Sequence, residues 1–291
     1  MSRRYCFIYN PAANPASSKV AVKLLRQRIA SWEAQWIVSS DKGDIERISR
    51  EAARQFDVVV ACGGDGTVRE VAAGMLGSEA LLGVVPVGSG NDFSKNLGIG
   101  NSLEEAIRIL DEGTTKRIDV GRCNEIHFLN TLGIGFDGLS NYYATRSGLP
   151  GRWKYVWGAL RSARKIAPFH ATLTMDSRTE ARPMLMVTLA NGRIEGGMFR
   201  VAPEARIDDG LLDIVTVSAV SRILLPLLLP FFLLGVQQRL KAVEIFRADR
   251  LVIELDRPAR IHADGEVVKK METRFDVELN RSALKVIGRF G

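Results

Sequence analysis

Asp57-Val58-Val59-Val60-Ala61-Cys62-Gly63-Gly64-Asp65-Gly66-Thr67 decides how the first part of this chain folds. Residues 57–61 form a short apolar run rich in β-branched side chains, as in a strand buried on both faces of a parallel sheet. The run enters a glycine turn, and Val68 to Leu76 then reads as a helix. Glycines let backbone N–H groups come close to an anion, and the helix N-terminus behind them favours negative charge. Glycine also serves such turns for geometry alone, so this loop by itself implies only phosphate. Asp65 adds a carboxylate, which makes chemical sense where Mg²⁺ accompanies the phosphates. A second glycine loop, Gly88-Ser89-Gly90-Asn91-Asp92, follows the next strand, Leu82 to Val87. In a parallel sheet both loops open at the carboxyl edge, where ligands bind. No Gly-Lys-Ser/Thr follows either of them, so neither is a Walker loop.

Outward from these loops the first 120 residues alternate between strand and helix patterns. Tyr5 to Tyr9 reads as a buried strand ended by Asn10-Pro11, Ser18 to Ile29 as a helix, Trp36 to Val38 as a strand, and Asp44 to Gln55 as a helix. Ser102 with Glu105 makes a capping box for a helix through Leu110. Such alternation predicts a doubly wound, Rossmann-like parallel sheet with helices on both faces. After Arg117 strands dominate: 118–120, 128–132, 171–175, 184–191, 212–217, 250–255, 260–263 and 273–279. Helical insertions are expected near 139–166 and 221–240. The fold class is therefore α/β plus β-rich, with an α/β domain over 1–119 and an antiparallel β-sandwich over 120–283. The tail 284–291 is a candidate to return to the first domain.

The 291 residues suffice for two such domains. A net charge of +7 suits anionic lipid, phosphorylated ligands or nucleic acid, and by itself selects none of them. Three widely spaced cysteines, Cys6, Cys62 and Cys123, argue against a disulfide framework or a thiolate metal site and fit a reducing compartment. Residues 1–9 run straight into a strand pattern, so no signal peptide is expected.

The two glycine loops stand in a larger set of motifs. Gly88-Ser89-Gly90-Asn91-Asp92-Phe93, Leu132-Gly133-Ile134-Gly135-Phe136-Asp137, Asp208-Asp209-Gly210-Leu211-Leu212-Asp213 and Asp264-Gly265-Glu266 follow the first loop in that order. Together they resemble the diacylglycerol kinase catalytic family over nearly the whole chain, with soluble bacterial lipid kinases as the nearest likeness and sphingosine and ceramide kinases as relatives. The resemblance implies a cytoplasmic, peripherally membrane-associated, ATP-dependent kinase of a lipid alcohol, with its active site in a cleft between the domains; it allows a homodimer. It places Gly63, Gly64, Asp65, Gly66, Thr67, Arg69 and Ser89 around the phosphates of ATP, with Asn10, Asn91 and Asp92 nearby and Ser40 near the nucleotide. Arg69 stands where the family usually has Asn, and Asn14 where many members have Gly.

Asp264 and Glu266 flank a turn glycine. Read from the residues alone, this is a hairpin turn with a solvated Glu. The resemblance instead makes Asp264 the base that takes the proton of the lipid hydroxyl, with Glu266 assisting. His262, one strand face away, reads as structural. The acidic turn 206–213 carries hard oxygen ligands. The resemblance implies a structural Mg²⁺ there, held by Arg206 and Leu211 through their carbonyls and by Asp209. A second Mg²⁺ would travel with ATP, organised through water by Asp65, Asp92 and Asp264.

Ile223 to Leu234 is the most apolar stretch but is shorter than the roughly 20 residues of a spanning helix and holds two prolines. It suits either a buried helix or an element dipping into a membrane. Arg146 to Lys165 interleaves Arg152, Lys154, Arg161, Arg164 and Lys165 with Trp153, Tyr155 and Trp157, which suits anionic headgroups. No nucleic-acid motif accompanies it, so no nucleic-acid partner is expected. Two alternatives remain: a kinase of a soluble hydroxyl substrate such as NAD, and a non-catalytic lipid- or nucleotide-binding protein. A serine hydrolase is excluded by the lack of a nucleophile elbow.

Overall fold

The computed structural model describes residues 3–12, 15–39, 43–100, 102–149, 151, 153–176 and 178–290, with 15–18 described by backbone alone. They fall into two compact units, 1–119 with 281–291, and 120–280.

In the first unit the elements are β1 (Tyr5–Tyr9), α1 (Pro15–Arg28), β2 (Ala34–Val38), α2 (Asp44–Ala52), β3 (Val58–Gly63), α3 (Asp65–Met75), β4 (Leu81–Pro86), α4 (Asp92–Asn96) and α5 (Leu103–Glu112), followed by the start of β5 (Thr114–Cys123). The sheet runs β2-β1-β3-β4, every pairing parallel. Every residue of β1 and β3 is buried. Covered on both faces, they read as unbroken apolar runs rather than as alternation. Helix α5 begins on its expected cap, the Ser102 hydroxyl accepting the Glu105 N–H at 3.4 Å. Helix α3 starts at Asp65, three residues before the expected Val68, so the glycine loop is itself the helix's first turn.

The second unit holds β6 (Ile126–Phe128), β7 (Thr131–Gly135), α6 (Phe136–Ala144), α7 (Trp153–Ala163), β8 (Phe169–Met175), β9 (Arg178–Ala190), β10 (Leu212–Ser218), α8 (Leu225–Leu234), β11 (Val243–Ala248), β12 (Arg250–Ala263) and most of β13 (Glu266–Gly288). Its pairings are antiparallel. Long strands β9 and β12 each pair with β8 at one end and β7 at the other, so the ring β7-β9-β8-β12 closes around an apolar core. Phe128, Leu132, Leu173, Leu189, Ile253 and Phe275 fill that core. The two short strands expected at 250–255 and 260–263 are one strand with an irregular register between Glu254 and Ile261. β11 has no counterpart among the expected strands. Near the end of β13, Lys285 and Val286 lie in the first unit and pair parallel with β4.

The insertion expected near 139–166 is two packed helices, α6 and α7, and that near 221–240 is α8 with a short 3-10 turn. Pro226 stands in the first turn of α8 and Pro230 inside it. Among the described residues no helix is long and apolar enough to cross a membrane. All three cysteines are buried and unpaired. Burial pushes the Cys6 thiol up to about 11 and the Cys123 thiol up to about 12, so both behave as apolar core groups.

Candidate active site

In the first unit the two glycine loops follow adjacent parallel strands, β3 and β4, and are joined edge to edge. Val87 donates its N–H to the Gly63 carbonyl at 3.1 Å. The Asp65 carboxylate accepts the Phe93 N–H at 3.1 Å, linking the start of α3 to α4. The approach is so close that a Cβ on Gly88 would stand 2.5 Å from the Gly64 Cα, and one on Gly63 would run into the Thr67 side chain. Only hydrogen fits at either place. Asn91 sits in the left-handed region (φ 51°) and ties its loop by two bonds of 3.0 Å: its Oδ1 accepts the Gly88 N–H and its Nδ2 donates to the Gly88 carbonyl. Lys95 donates to Asp92 at 2.8 Å and to the Gly90 carbonyl at 3.2 Å. Asn10 donates from Nδ2 to the Thr67 hydroxyl at 3.1 Å, bringing the end of β1 to the same edge. Ser89 is exposed, and Arg69 is half-buried on α3. A rigid, glycine-lined turn that opens an 11-residue helix is a physical cradle for phosphate. Ser40 lies outside the described residues, as does Arg152.

In the second unit Asp264 and Gly265, at φ 47° and 78°, form a two-residue turn closed by the Ala263–Glu266 pair between β12 and β13. Two successive left-handed residues make the twist a tight hairpin prefers. Asp264 is 4% exposed, and its carboxylate accepts three backbone N–H groups: Leu129 on Oδ2 at 2.8 Å, Asn130 on Oδ1 at 2.8 Å, and Thr131 on Oδ1 at 3.0 Å. Glu266, the next residue but one, is only half-buried.

Behind this turn lies a cluster that no local sequence signal announced. His262 is fully buried, with Nε2 3.1 Å from Glu195 Oε1 and 3.3 Å from Asp137 Oδ1. These are close charge contacts, not aligned hydrogen bonds, because neither ring nitrogen has a hydrogen-bond partner among the described residues. Thr188 donates its hydroxyl to Asp137 Oδ2 at 2.6 Å, and Thr131 to Glu195 Oε2 at 3.1 Å. Burial works against the His262 charge, yet the two carboxylates hold its pKa well above the ordinary imidazole value. For Asp137, burial acts upward, but the adjacent imidazolium prevails and keeps the carboxyl below its usual range. Burial first, and the Asp137 charge second, push Glu195 up to about 7. Gly133 makes room for the cluster, since any Cβ there would overlap both Asp137 and His262. The three ligating groups are near enough to share a cation.

The acidic turn lies before β10. Asp209 Oδ1 accepts the Leu211 N–H at 3.1 Å, Gly210 supplies a φ of 74°, and Arg206 Nε is 3.4 Å from Asp208 Oδ1. Its carboxylate and carbonyl oxygens are donors of the kind Mg²⁺ accepts. Asp213, at the far end of the motif, is turned inward and pairs with Arg247 at 3.1 Å.

Comparison with known proteins gives a consistent result. A model of the diacylglycerol kinase catalytic domain matches residues 4–123, and one of the YegS C-terminal NAD kinase beta sandwich-like domain matches residues 130–288. A probable lipid kinase YegS-like of Chromohalobacter salexigens is 35% identical over 187 residues, 62% of this chain and 60% of that protein. The chain thus spans under two thirds of that relative, and 53% of a Synechocystis relative that is 29% identical over 228 residues. A diacylglycerol kinase of Mycobacterium tuberculosis is 30% identical over 239 residues, 79% of this chain and 77% of that one. A crystal structure of a diacylglycerol kinase from Bacillus anthracis superimposes with a TM-score of 0.78 at 24% identity, covering 99% of this chain and 97% of the other, a likeness of fold.

Proposed function

This chain belongs to the diacylglycerol kinase catalytic-domain family, and from that premise we propose that it transfers the γ-phosphate of ATP to the hydroxyl of diacylglycerol or a related lipid alcohol. The observation that carries the reading is the pair of glycine loops after β3 and β4, packed so closely that no side-chain carbon fits at Gly88. Residues 1–119 act as a doubly wound, Rossmann-type nucleotide domain, and 120–283 as the lipid-substrate domain.

The roles follow from the geometry of each unit. Backbone amides of Gly63 to Thr67 and the loop 88–92 hold the phosphates, helped by the dipole of α3. Asn10 and Asn91 keep those loops in place, and Arg69 and Ser89 add polar contacts. Mg²⁺ bound with the nucleotide would supply charge neutralisation on the phosphoryl group, and Asp65 and Asp92 are the carboxylates that would hold it. A second Mg²⁺ on Arg206, Asp209 and Leu211 would brace the turn before β10.

Between the acidic pair, physical chemistry favours Glu266 as the base. Asp264 already commits both oxygens to three backbone amides, so it serves the turn rather than a substrate hydroxyl. Asp264 is therefore the positioning residue that anchors the turn. Glu266 is the carboxylate with access to solvent and substrate. This reverses the order of roles expected from sequence.

Lipid access is assigned to α7 and α8. Trp153, Trp157 and Leu160 recur at helical spacing and are 66%, 41% and 37% exposed; Ile223, Leu227 and Leu234 are 83%, 63% and 69% exposed. Arg161, Arg164 and Lys165 lie alongside in sequence. Interfacial aromatics with cations suit peripheral contact with an anionic membrane.

The test is direct. Purified protein is incubated with radiolabelled ATP, Mg²⁺ and, in separate arms, mixed micelles of diacylglycerol, other lipid alcohols, and NAD. Label in a lipid is the expected outcome. Label in NAD with none in any lipid would refute the reading.

A further inference from the structure

Three side chains, from α6, from β12 and from the segment after β9, each turn one atom toward the same place. His262 Nε2 stands 3.3 Å from Asp137 Oδ1 and 3.1 Å from Glu195 Oε1, and the ligating atoms all lie within 4.8 Å of one another. Atoms that share a metal have such spacings. Nitrogen and oxygen ligands about 2.1 Å from one cation stand about 3.0 Å apart at a right angle and about 3.4 Å apart at a tetrahedral one. The imidazole ring is fully buried, and its Nε2 has no hydrogen-bond partner among the described residues. Buried polar atoms are seldom left this way. A cation between the ring and the carboxylates supplies what Nε2 lacks.

The contacts around the three groups have the form of a metal site. Each carboxylate turns one oxygen to His262 and gives the other to a threonine. Asp137 Oδ2 accepts the Thr188 hydroxyl at 2.6 Å, and Glu195 Oε2 that of Thr131 at 3.1 Å. Both threonines are fully buried. Hydrogen bonds of this kind fix the direction of a ligating carboxylate. The charges also balance: a neutral imidazole and two carboxylates around a divalent cation sum to zero, which suits a buried place. In the metal-free protein an imidazolium charge stands at that point instead.

We infer that Asp137, Glu195 and His262 form a binding site for one divalent transition-metal ion, Zn²⁺ by its ligand chemistry. An imidazole nitrogen with two carboxylates suits Zn²⁺, whereas Mg²⁺ takes oxygen ligands in strict octahedral geometry. The site is therefore separate from both Mg²⁺ positions named above. Asp137 and Glu195 keep 12% and 11% of their side chains exposed and line the wall of a cavity of about 80 Å³. That side gives the ion its way in and a water its place as fourth ligand. Thr131 connects the site to the turn beyond it, since its hydroxyl binds Glu195 and its N–H binds Asp264. The ion thus ties α6, β12 and the segment after β9 together behind Asp264-Gly265. None of this depends on the kinase reading.

The experiment strips the full chain with a chelator and titrates it with Zn²⁺ and, separately, Co²⁺. One equivalent of Zn²⁺ is expected to stay through gel filtration in excess Mg²⁺ and to raise Tm. Co²⁺ is expected to show the visible d–d absorption of a nitrogen- and oxygen-ligated site. His262→Gln, Asp137→Asn and Glu195→Gln, checked for folding by circular dichroism, should lose both the equivalent and the absorption. Thr188→Val removes only an outer hydrogen bond and should weaken Zn²⁺ about tenfold, which stays readable even where a ligand variant does not fold. The other two histidines are half-buried His127 and exposed His170. Changing both to Gln should leave binding whole. Wild type that retains no Zn²⁺, or yields it to Mg²⁺, would overturn the inference without any variant. So would full binding in Glu195→Gln or in Thr188→Val, or loss of binding in the double histidine variant.

Discussion

Replacing Gly88 with alanine adds one carbon at the closest point between the two phosphate loops. That Cβ would stand 2.5 Å from the Gly64 Cα, 2.9 Å from Asn91 Oδ1 and 3.3 Å from the Gly64 nitrogen. Ordinary contact begins at 3.4 Å, so the loops must part by about 0.9 Å. Gly88 is not among the positive-φ glycines, so alanine meets no backbone penalty of its own. The neighbour in the way is backbone, which cannot rotate aside like a side chain. Overpacking of this kind destabilises by about 1–3 kcal/mol. The functional loss should be larger in proportion. A misplacement near 1 Å costs roughly a hundredfold in rate, or about 3 kcal/mol of transition-state stabilisation. Steady-state kinetics with ATP varied at saturating lipid, beside a thermal unfolding scan, should show kcat/KM down about a hundredfold with the fold retained. Gly77→Ala is the control: its φ is 78° and no heavy atom lies within 4 Å, so it strains the chain without moving the loops. It should lower Tm and spare kcat/KM. A Gly88→Ala protein with near-wild-type kcat/KM would refute the claim that these loops form one phosphate cradle.

Four further outcomes are expected. Asp264→Ala strips three buried backbone N–H groups of their acceptor and should lower stability by roughly 3 kcal/mol or more in denaturant titration. Glu266→Gln should leave stability alone and reduce kcat about 10²–10⁴-fold, and the opposite assignment of effects would restore Asp264 as base. Glu195 holds its proton up to about 7 in the folded protein and releases it near 4.5 when unfolded, so the native state binds more protons between those values. Stability should therefore fall as pH rises from 4.5 to 7, and Glu195→Gln should flatten that slope in unfolding curves taken across the window. An unchanged slope would remove Glu195 from the account. Finally, Trp153→Ser with Ile223→Ser should weaken sedimentation with phosphatidylglycerol vesicles several-fold without changing turnover of a soluble short-chain lipid; equal sedimentation would place the membrane surface elsewhere.

The buried His262 network shows why the carboxylates of this unit do different work. Asp137 and Glu195 both face the buried His262 ring, and two negative charges that close together cannot both be ionised at no cost. Burial and the Asp137 charge together push the Glu195 carboxyl up to about 7. Asp264 meets the same difficulty with three amide donors instead of a counter-charge.

Sequence by itself determined the features that depend on neighbours along the chain. The β-branched run before Gly63 makes a strand because its residues suit a surface buried on both sides. Ser102 caps α5 because its hydroxyl needs only to reach three residues ahead, and Asp264-Gly265 turns because both residues accept positive φ. The diacylglycerol kinase motifs are legible for the same reason, being short and continuous. What required the tertiary structure was every contact between distant positions. His262 comes from β12, Asp137 from α6 and Glu195 from the segment after β9, and nothing periodic connects them. The three amides that hold Asp264 belong to residues 129–131, more than 130 positions earlier. Backbone donors have no sequence signature at all, so the three amides on Asp264 appear only in the fold. Local propensity and motif spacing fix which pieces form. The order in which those pieces bury one another decides which side chains keep their chemistry.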